Sequence, residues 1–331
     1  MINVGIIGFG KMGQIRANAI EDSELGKINL IYDVSPIQNT NFTVASSPDE
    51  IINNKNIDAI FVCTPNYLNQ SLTIQSLETG KHVFCEKPPA FNEKEVLEVI
   101  KAEKASGKKL MYGFNHRHHE SIKMIKVLVE NETYGKILWM RGRYGKSVDK
   151  KFYTNWRANS EKAGGGILLD QGIHMLDLFT FLGGEFDEVK AMISNLYWKS
   201  DIEDNAFAIL RNNQTGTVAS LHSTMTQWRH LFSLEVFLEH GYFVLNGLKT
   251  SSGTYGEEIL TIAKNRAEAP RATWKDEEKH TFSINESWKS EIDHFLTAIT
   301  ENKPIQIGNS DDARIIMRTI DKIYKDGKKN D

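Results

Sequence analysis

Apolar residues fall in short continuous runs over the first third of the chain and in longer alternating runs after it. From Met1 to about Tyr112, runs rich in β-branched residues cover Val4–Ile7, Ile28–Tyr32, Ala59–Val62, His82–Cys85 and Leu110–Tyr112, with a weaker one at Phe42–Ala45. Helical spacing separates them, as over Leu68–Glu78 and Glu93–Ala105. Strands alternating with helices predict βαβ units and a parallel sheet. Strands with no polar side predict a sheet covered on both faces.

The pattern changes after "YGFNHRHHE", Tyr112 to Glu120. A helix over roughly Ser121–Val129 leads into strand-like runs at Ile137–Tyr144, Val189–Trp198, Ala206–Leu210, Thr217–Met225 and Phe232–Phe237. Hairpin signals lie around Asn213 and Gly241. Most of these strands succeed one another without helices, which predicts a mainly antiparallel sheet. Closing helices are expected at Trp288–Thr300 and Asp311–Tyr324, the second capped by Asn309 or Ser310. A boundary near residues 115–122 divides the chain into 1–118 and 119–331.

A length of 331 residues suits two such domains. Hydrophobic residues at 40% and charged residues at 25% are an ordinary soluble composition. A net charge of −3 with both signs mixed gives no basic face and argues against nucleic acid as a partner. No apolar run approaches the ~20 residues of a membrane span. The start "MINVGIIGFG" lacks a signal peptide's basic flank and reads as a buried strand. Cys63 and Cys85 are too few for a disulfide framework. They read as small hydrophobes in a reducing compartment, and a cytoplasmic location is expected.

Three strand ends carry candidate chemistry. "GFGKMG", Gly8 to Gly13, follows an apolar strand and opens a helix. Gly8 permits the tight turn, Gly10 lets a pyrophosphate approach, and Gly13 lets helix and strand pack. Phe9, Lys11 and Met12 complete this phosphate-binding turn, whose helix N-terminus offers free N–H groups. Asp33 ends the next strand, where a carboxylate takes the adenosine ribose hydroxyls. Val34, Ser35 and Pro36 supply no Arg for a 2′-phosphate, so NAD is favoured over NADP. "CTPNYLNQ" places Thr64, Pro65, Asn66 and Leu68 beside the same cofactor, although a plain Pro-Asn turn would read alike. "FCEKPPA" sets Glu86 and Lys87 between an apolar strand and two prolines that keep the preceding residues extended. Burial and a cationic nicotinamide would lower the pKa of a lysine there; a surface lysine at a strand exit is the plainer reading.

"AGGGILLDQGIH", Ala163 to His174, opens a helix expected to run from Ile167 to about Leu182. Asp170, His174 and Asp177 fall at i, i+4 and i+7 and share a face. The face is a solvated or capping surface, a metal pair lacking an evident third ligand, or the seat of a general base, His174. The cluster His116 to His119 reads as a polar hinge rather than a metal site.

Taken together, "GFGKMG", "TPN", "GKHVFCEKP" and "GGGILLDQGIH" resemble, in order and spacing, the Gfo/Idh/MocA family of nicotinamide-dependent oxidoreductases. The likeness spans nearly the whole chain. It implies an α/β fold: an N-terminal Rossmann parallel sheet plus a C-terminal α/β domain with a large, mainly antiparallel open sheet. That second domain would bind substrate and build a homodimer or homotetramer. The resemblance makes Lys87, Asp170 and His174 catalytic and puts Glu86, Asn115, Trp156 and Arg157 near the cofactor. Arg117 joins Lys87, Asp170 and His174 at the substrate, and no metal is implied. The implied reaction is reversible oxidation of a secondary alcohol of a sugar, sugar nucleotide or inositol-like polyol. His174 takes the hydroxyl proton, Lys87 donates to the same oxygen, and Asp170 orients substrate or base. The glycines at 164–166 would give close backbone approach beside cofactor and substrate. The loop with Arg141, Arg143, Lys146, Lys150 and Lys151 suits a phosphate-bearing sugar or is only solvated. Many members carry His where this chain has Asn69, which reads as a structural change. Rival readings are a non-catalytic NAD- and sugar-sensing regulator and a reductase of a non-sugar carbonyl. Retention of Lys87, Asp170 and His174 together argues against the regulator.

Overall fold

The structure is a computed structural model and describes residues 1–250, 252–264 and 272–327. The chain runs β1 (Ile2–Ile7), α1 (Lys11–Glu21), β2 (Gly26–Tyr32), α2 (Pro48–Ile52), β3 (Ala59–Val62), α3 (Asn66–Glu78), β4 (His82–Cys85), α4 (Glu93–Ser106) and β5 (Leu110–Tyr112). It continues through α5 (Glu120–Glu130), β6 (Ile137–Ser147), α6 (Ser160–Ala163), a π-helical turn (Leu168–Gly172) and α7 (Ile173–Gly183). Then come β7 (Glu188–Ser194), β8 (Asn205–Arg211), β9 (Val218–Thr224), β10 (Thr226–Leu238), β11 (Gly241–Asn246), β12 (Glu258–Lys264) and β13 (Glu278–Phe282). Helices α8 (Ser287–Thr300) and α9 (Ser310–Gly327) close it. None of the described helices is long and apolar enough to cross a membrane.

Two compact units emerge, Met1–His118 with Glu286–Met317, and His119–Asn285 with Arg318–Asp331. Where the sequence pattern suggested one cut, residues Glu286–Met317 group with the first unit. In that unit the parallel sheet has the order β2-β1-β3-β4-β5. The order reverses at β1, so the carboxyl ends of β1 and β3 flank the switch point where open α/β sheets bind ligands. Helix α8 lies on this sheet, with Phe295 edge-on to Phe61 and Phe84 at ring distances of 5.6 and 5.7 Å. Each such fully buried ring stabilises the unit by about 1.5–3 kcal/mol. The weak run at Phe42–Ala45 contributes only an isolated bridge, Ile31 to Val44.

The second unit holds an eight-stranded sheet in the order β13-β12-β11-β10-β6-β9-β8-β7. Its pairs are antiparallel except β6 with β9. Helix α7 covers one face, so closely that a Cβ on Gly142 of β6 would lie 2.4 Å from Met175. The other face leaves Met192, Phe207 and Ile209 exposed. The run expected to reach Trp198 stops at Ser194, because the Asp204 carboxylate accepts the N–H groups of Leu196, Tyr197 and Trp198 at 3.0, 2.8 and 2.9 Å. Those donors are therefore lost to a sheet ladder.

Candidate active site

In the first unit, the β1–α1 turn has the geometry that the glycine spacing predicts. Gly8 has φ +93°, and a Cβ there would stand 2.5 Å from the Cys63 carbonyl oxygen. A Cβ on Gly13 would meet the Gly8 carbonyl oxygen at 2.1 Å. Gly10, in contrast, faces open space, with no heavy atom within 4 Å of an added Cβ. It precedes α1 with no side-chain cap and no acidic residue in the first turn. The helix N–H groups and their positive potential thus remain available to an anion. Lys11 is exposed and Met12 half-buried at the same turn.

The Phe9 N–H donates to Asp33 Oδ2 at 2.7 Å and the Ser35 N–H to Oδ1 at 2.8 Å, which fixes the carboxylate at the end of β2. Phe9, Gly10, Asp33 and residues 35–42 line a cavity of about 540 Å³. Among the described residues no Lys or Arg lines it, so a 2′-phosphate would meet no cation there while ribose hydroxyls would meet an acid. These residues fit NAD.

Thr64, Pro65, Asn66 and Leu68 form the turn from β3 into α3 and are half-buried. Glu86 is buried, and its Oε1 accepts from Arg16 of α1 at 2.6 Å. Arg16 also pairs with Glu291 of α8 and lies over the Phe84 ring at 4.4 Å. Burial opposes its charge, yet Glu291 and then Glu86 hold the guanidinium above its ordinary range. The Glu86 carboxylate is thus part of this buried cluster. Lys87 follows it, half-buried, with a cis peptide bond to Pro88. Asn69, fully buried on α3, donates to the carbonyls of Glu86 and Pro88. Asn115 is buried with Nδ2 3.4 Å from Ser287 Oγ. Arg117, expected at a substrate, is 2% exposed and pairs with Asp312 at 2.9 Å.

In the second unit the expected helix from Ile167 begins as the π-helical turn and continues as α7. The change of winding falls between Asp170 and His174, and such single turns recur at functional sites. Asp170 accepts from Lys146 Nζ at the end of β6 and lies 3.8 Å from Arg157 Nε. Arg157 rests over the Trp156 ring at 4.3 Å. This pair, expected near the cofactor, therefore stands beside Asp170. His174 and Asp177 are buried. The Tyr144 ring lies 6.2 Å from the His174 ring and 5.3 Å from that of Tyr255, to which Gln171 also donates. Burial first, then the neighbouring hydroxyl and Asp170, raises the Tyr144 phenol well above its ordinary range. Among the described residues no group of three or more His, Cys, Asp and Glu side chains is arranged to hold a metal ion.

The three glycines have contacts of their own. Gly164 has φ +78° and ends α6. A Cβ on Gly165 would meet Tyr324 Oη at 2.1 Å, and one on Gly166 the Glu203 carbonyl oxygen at 2.1 Å. The Glu203 carboxylate accepts from Gly166 N–H at 2.8 Å, Leu168 N–H at 3.0 Å and Tyr324 Oη at 2.9 Å. An acid from a distant loop thereby caps the start of the π-helical turn. Glu203, Tyr324, Tyr144 and Tyr255 were not singled out in the sequence, because only the folded chain brings them to this helix. Lys146 was visible there only as one of several basic residues.

Two successive segments of the chain match two models of one family. Residues 2–114 match an oxidoreductase family model with an NAD-binding Rossmann fold, and residues 122–244 match the GFO/IDH/MocA C-terminal domain. The chain is 29% identical over 259 residues to the 2,7-anhydro-N-acetylneuraminate hydratase of Escherichia coli, covering 76% of this chain and 67% of that protein. It is 28% identical to the myo-inositol 2-dehydrogenase of Thermotoga maritima over 63% of this chain and 65% of that one. A solved levoglucosan dehydrogenase, in complex with NADH and levoglucosan, superposes with a TM-score of 0.87 at 23% identity, covering 100% of this chain and 98% of that one. The chain belongs to the GFO/IDH/MocA family of oxidoreductases and carries its NAD-binding Rossmann domain.

Proposed function

We propose that this enzyme oxidises, reversibly, a secondary alcohol of a sugar or inositol-like polyol. The observation that carries the reading is the pairing of Asp170 with Lys146 one helical turn before His174. Histidine is the side chain most often used as a general base, and here it follows a carboxylate already paired with a cation. NAD, when bound, supplies the hydride acceptor. His174 takes the hydroxyl proton, and Lys87 donates a hydrogen bond to the same oxygen and stabilises its developing negative charge. Asp170 orients the substrate hydroxyls or the base. Relatives named myo-inositol 2-dehydrogenase and D-glucoside 3-dehydrogenase support a cyclic polyol or sugar as substrate.

The exposed apolar side chains Met192, Phe207 and Ile209 support the open sheet face as a contact between copies of the chain, in a dimer or tetramer. Two free thiols, Cys63 and Cys85, suit the cytoplasm. The test incubates the protein with NAD and a panel of sugars, glycosides and inositols. Reduced cofactor is followed by absorbance and products by mass. A polyol-dependent rise in reduced cofactor is expected. Product formed by gain of water with no reduced cofactor would instead favour the hydratase chemistry named for the E. coli relative.

A further inference from the structure

The turn that carries Lys87 is tied on both sides by one amide. Asn69 is fully buried on α3, and its Nδ2 donates to the Glu86 carbonyl at 3.2 Å and to the Pro88 carbonyl at 2.9 Å. Its Oδ1 accepts from Thr64 Oγ1 at 3.0 Å. The orientation of the amide follows from these partners. Two carbonyls need two N–H donors, and a hydroxyl donor needs the oxygen; the flipped amide would set three acceptors against one another. The two clamped carbonyls belong to the residues immediately before and after Lys87. The Glu86 N–H is bound in turn to the Val62 carbonyl at 2.9 Å, and the Glu86 carboxylate to Arg16. The backbone at residues 86–88 is thus fixed from β3, α1 and α3, and Asn69 alone among these reaches past Lys87 to Pro88.

We infer that Asn69 is a positioning residue for the Lys87 amine. It holds the carbonyls of the residues before and after that lysine so that the ammonium meets the substrate oxygen. The inference rests on the proposed role of Lys87. A neutral histidine, the residue many family members carry here, has a single N–H and so can serve only one of the two carbonyls. The double clamp is therefore a property of the amide in this chain. It also links the lysine turn to Thr64, at the head of the neighbouring cofactor turn.

The test compares Asn69→Leu, Asn69→His and the parent protein, each saturated with NAD. The first readout is independent of turnover: limited acetylation of Lys87, followed by mass spectrometry across a pH series, with Lys81 as internal reference. Lys81 is buried in the same unit and bonds the carbonyls of Asn54 and Ile57. Asn69→Leu is expected to change Lys87 labelling about tenfold with Lys81 unchanged, and Asn69→His to recover part of the difference. Unchanged Lys87 labelling, or an equal change at Lys81, overturns the inference. The second readout is kinetic. Asn69→Leu is expected to lower kcat by about 10–100-fold with little effect on KM. In a Lys87→Met background the same substitution should cost nothing more, because a residue acting through Lys87 has nothing left to position. Additive losses overturn the inference. Full turnover by Lys87→Met alone would instead remove Lys87 from the proposed reaction, and the labelling would still decide the clamp. Should Asn69→Leu fail to fold, Asn69→Gln moves the amide by one methylene and is judged by the same outcomes.

Discussion

The backbone N–H of Phe9 holds the carboxylate of Asp33 at 2.7 Å, locking the acid at the end of β2 to the first glycine turn. The carboxylate is thereby aimed before any ribose arrives. Asp33→Ala should weaken NAD binding about 10–100-fold, the worth of hydrogen bonds to a charged group. It should weaken NADP less, since the Asp33 carboxylate repels a 2′-phosphate and its removal relieves that repulsion. Titration of protein fluorescence with each cofactor checks this. Equal loss for both would mean that Asp33 acts only on the turn.

Lys146 neutralises Asp170 within the π-helical turn. Lys146→Met leaves a partly buried carboxylate beside Arg157, whose Nε lies 3.8 Å away. Turnover should fall by about tenfold or more while NAD binding holds, as charge-assisted contacts at a site are worth roughly 1.5–3 kcal/mol. The check is kcat and NAD affinity measured side by side. A matching loss of NAD affinity would place Lys146 at the cofactor instead.

Gly165 and Gly166 differ in what an added methyl would strike. At Gly165 it meets the hydroxyl of Tyr324, and at Gly166 it meets the backbone of Glu203. Overpacking of this kind costs about 1–3 kcal/mol. Gly165→Ala should regain stability when combined with Tyr324→Phe, which removes the nearest atom. Gly166→Ala should gain nothing from that change. Thermal melts of the four proteins decide it, and rescue of both or of neither contradicts the packing account.

Stability should also fall on mild acidification. His82 Nδ1 accepts the Lys109 N–H at 3.0 Å. Burial, then Lys108 and Lys109, lower its pKa from 6.5 to about 4, against a smaller opposing pull from Asp58. The unfolded chain therefore binds more protons in that interval, so this contribution is full above about 6.5 and is lost as pH falls toward about 4. Denaturation midpoints across this range should drop more steeply for the parent than for His82→Gln. Parallel curves would contradict it.

What the chain's pattern revealed follows from where each element sits. Strands β3, β4 and β5 are legible residue for residue because burial on both faces demands unbroken apolar runs. Asn309 caps α9 as read, its Oδ1 accepting the Asp312 N–H at 2.9 Å. Strand β13, "EKHTF", was not foreseen: it lies at the sheet edge, where Glu278, Lys279 and His280 blur the alternation. The π-helical turn was hidden because Asp170 and His174 keep helical spacing under either winding. The close contacts of Gly165 and Gly166 depend on residues 37 or more positions away, which no local pattern reports. The glycine turn lies in one strand-turn-helix segment, so its geometry was readable; the side chains around Asp170 and His174 come from several strands and loops and were not.

The proposed reaction places the chemistry of an NAD-dependent polyol oxidation on His174 and Lys87. Its most direct test is steady-state reduction of saturating NAD by the best polyol of the panel, for the parent, His174→Ala and Lys87→Ala. Each variant should turn over about 10²–10⁴-fold more slowly while binding NAD as the parent does. Parent-like turnover in either variant, or no polyol that reduces NAD with the parent protein, would contradict it.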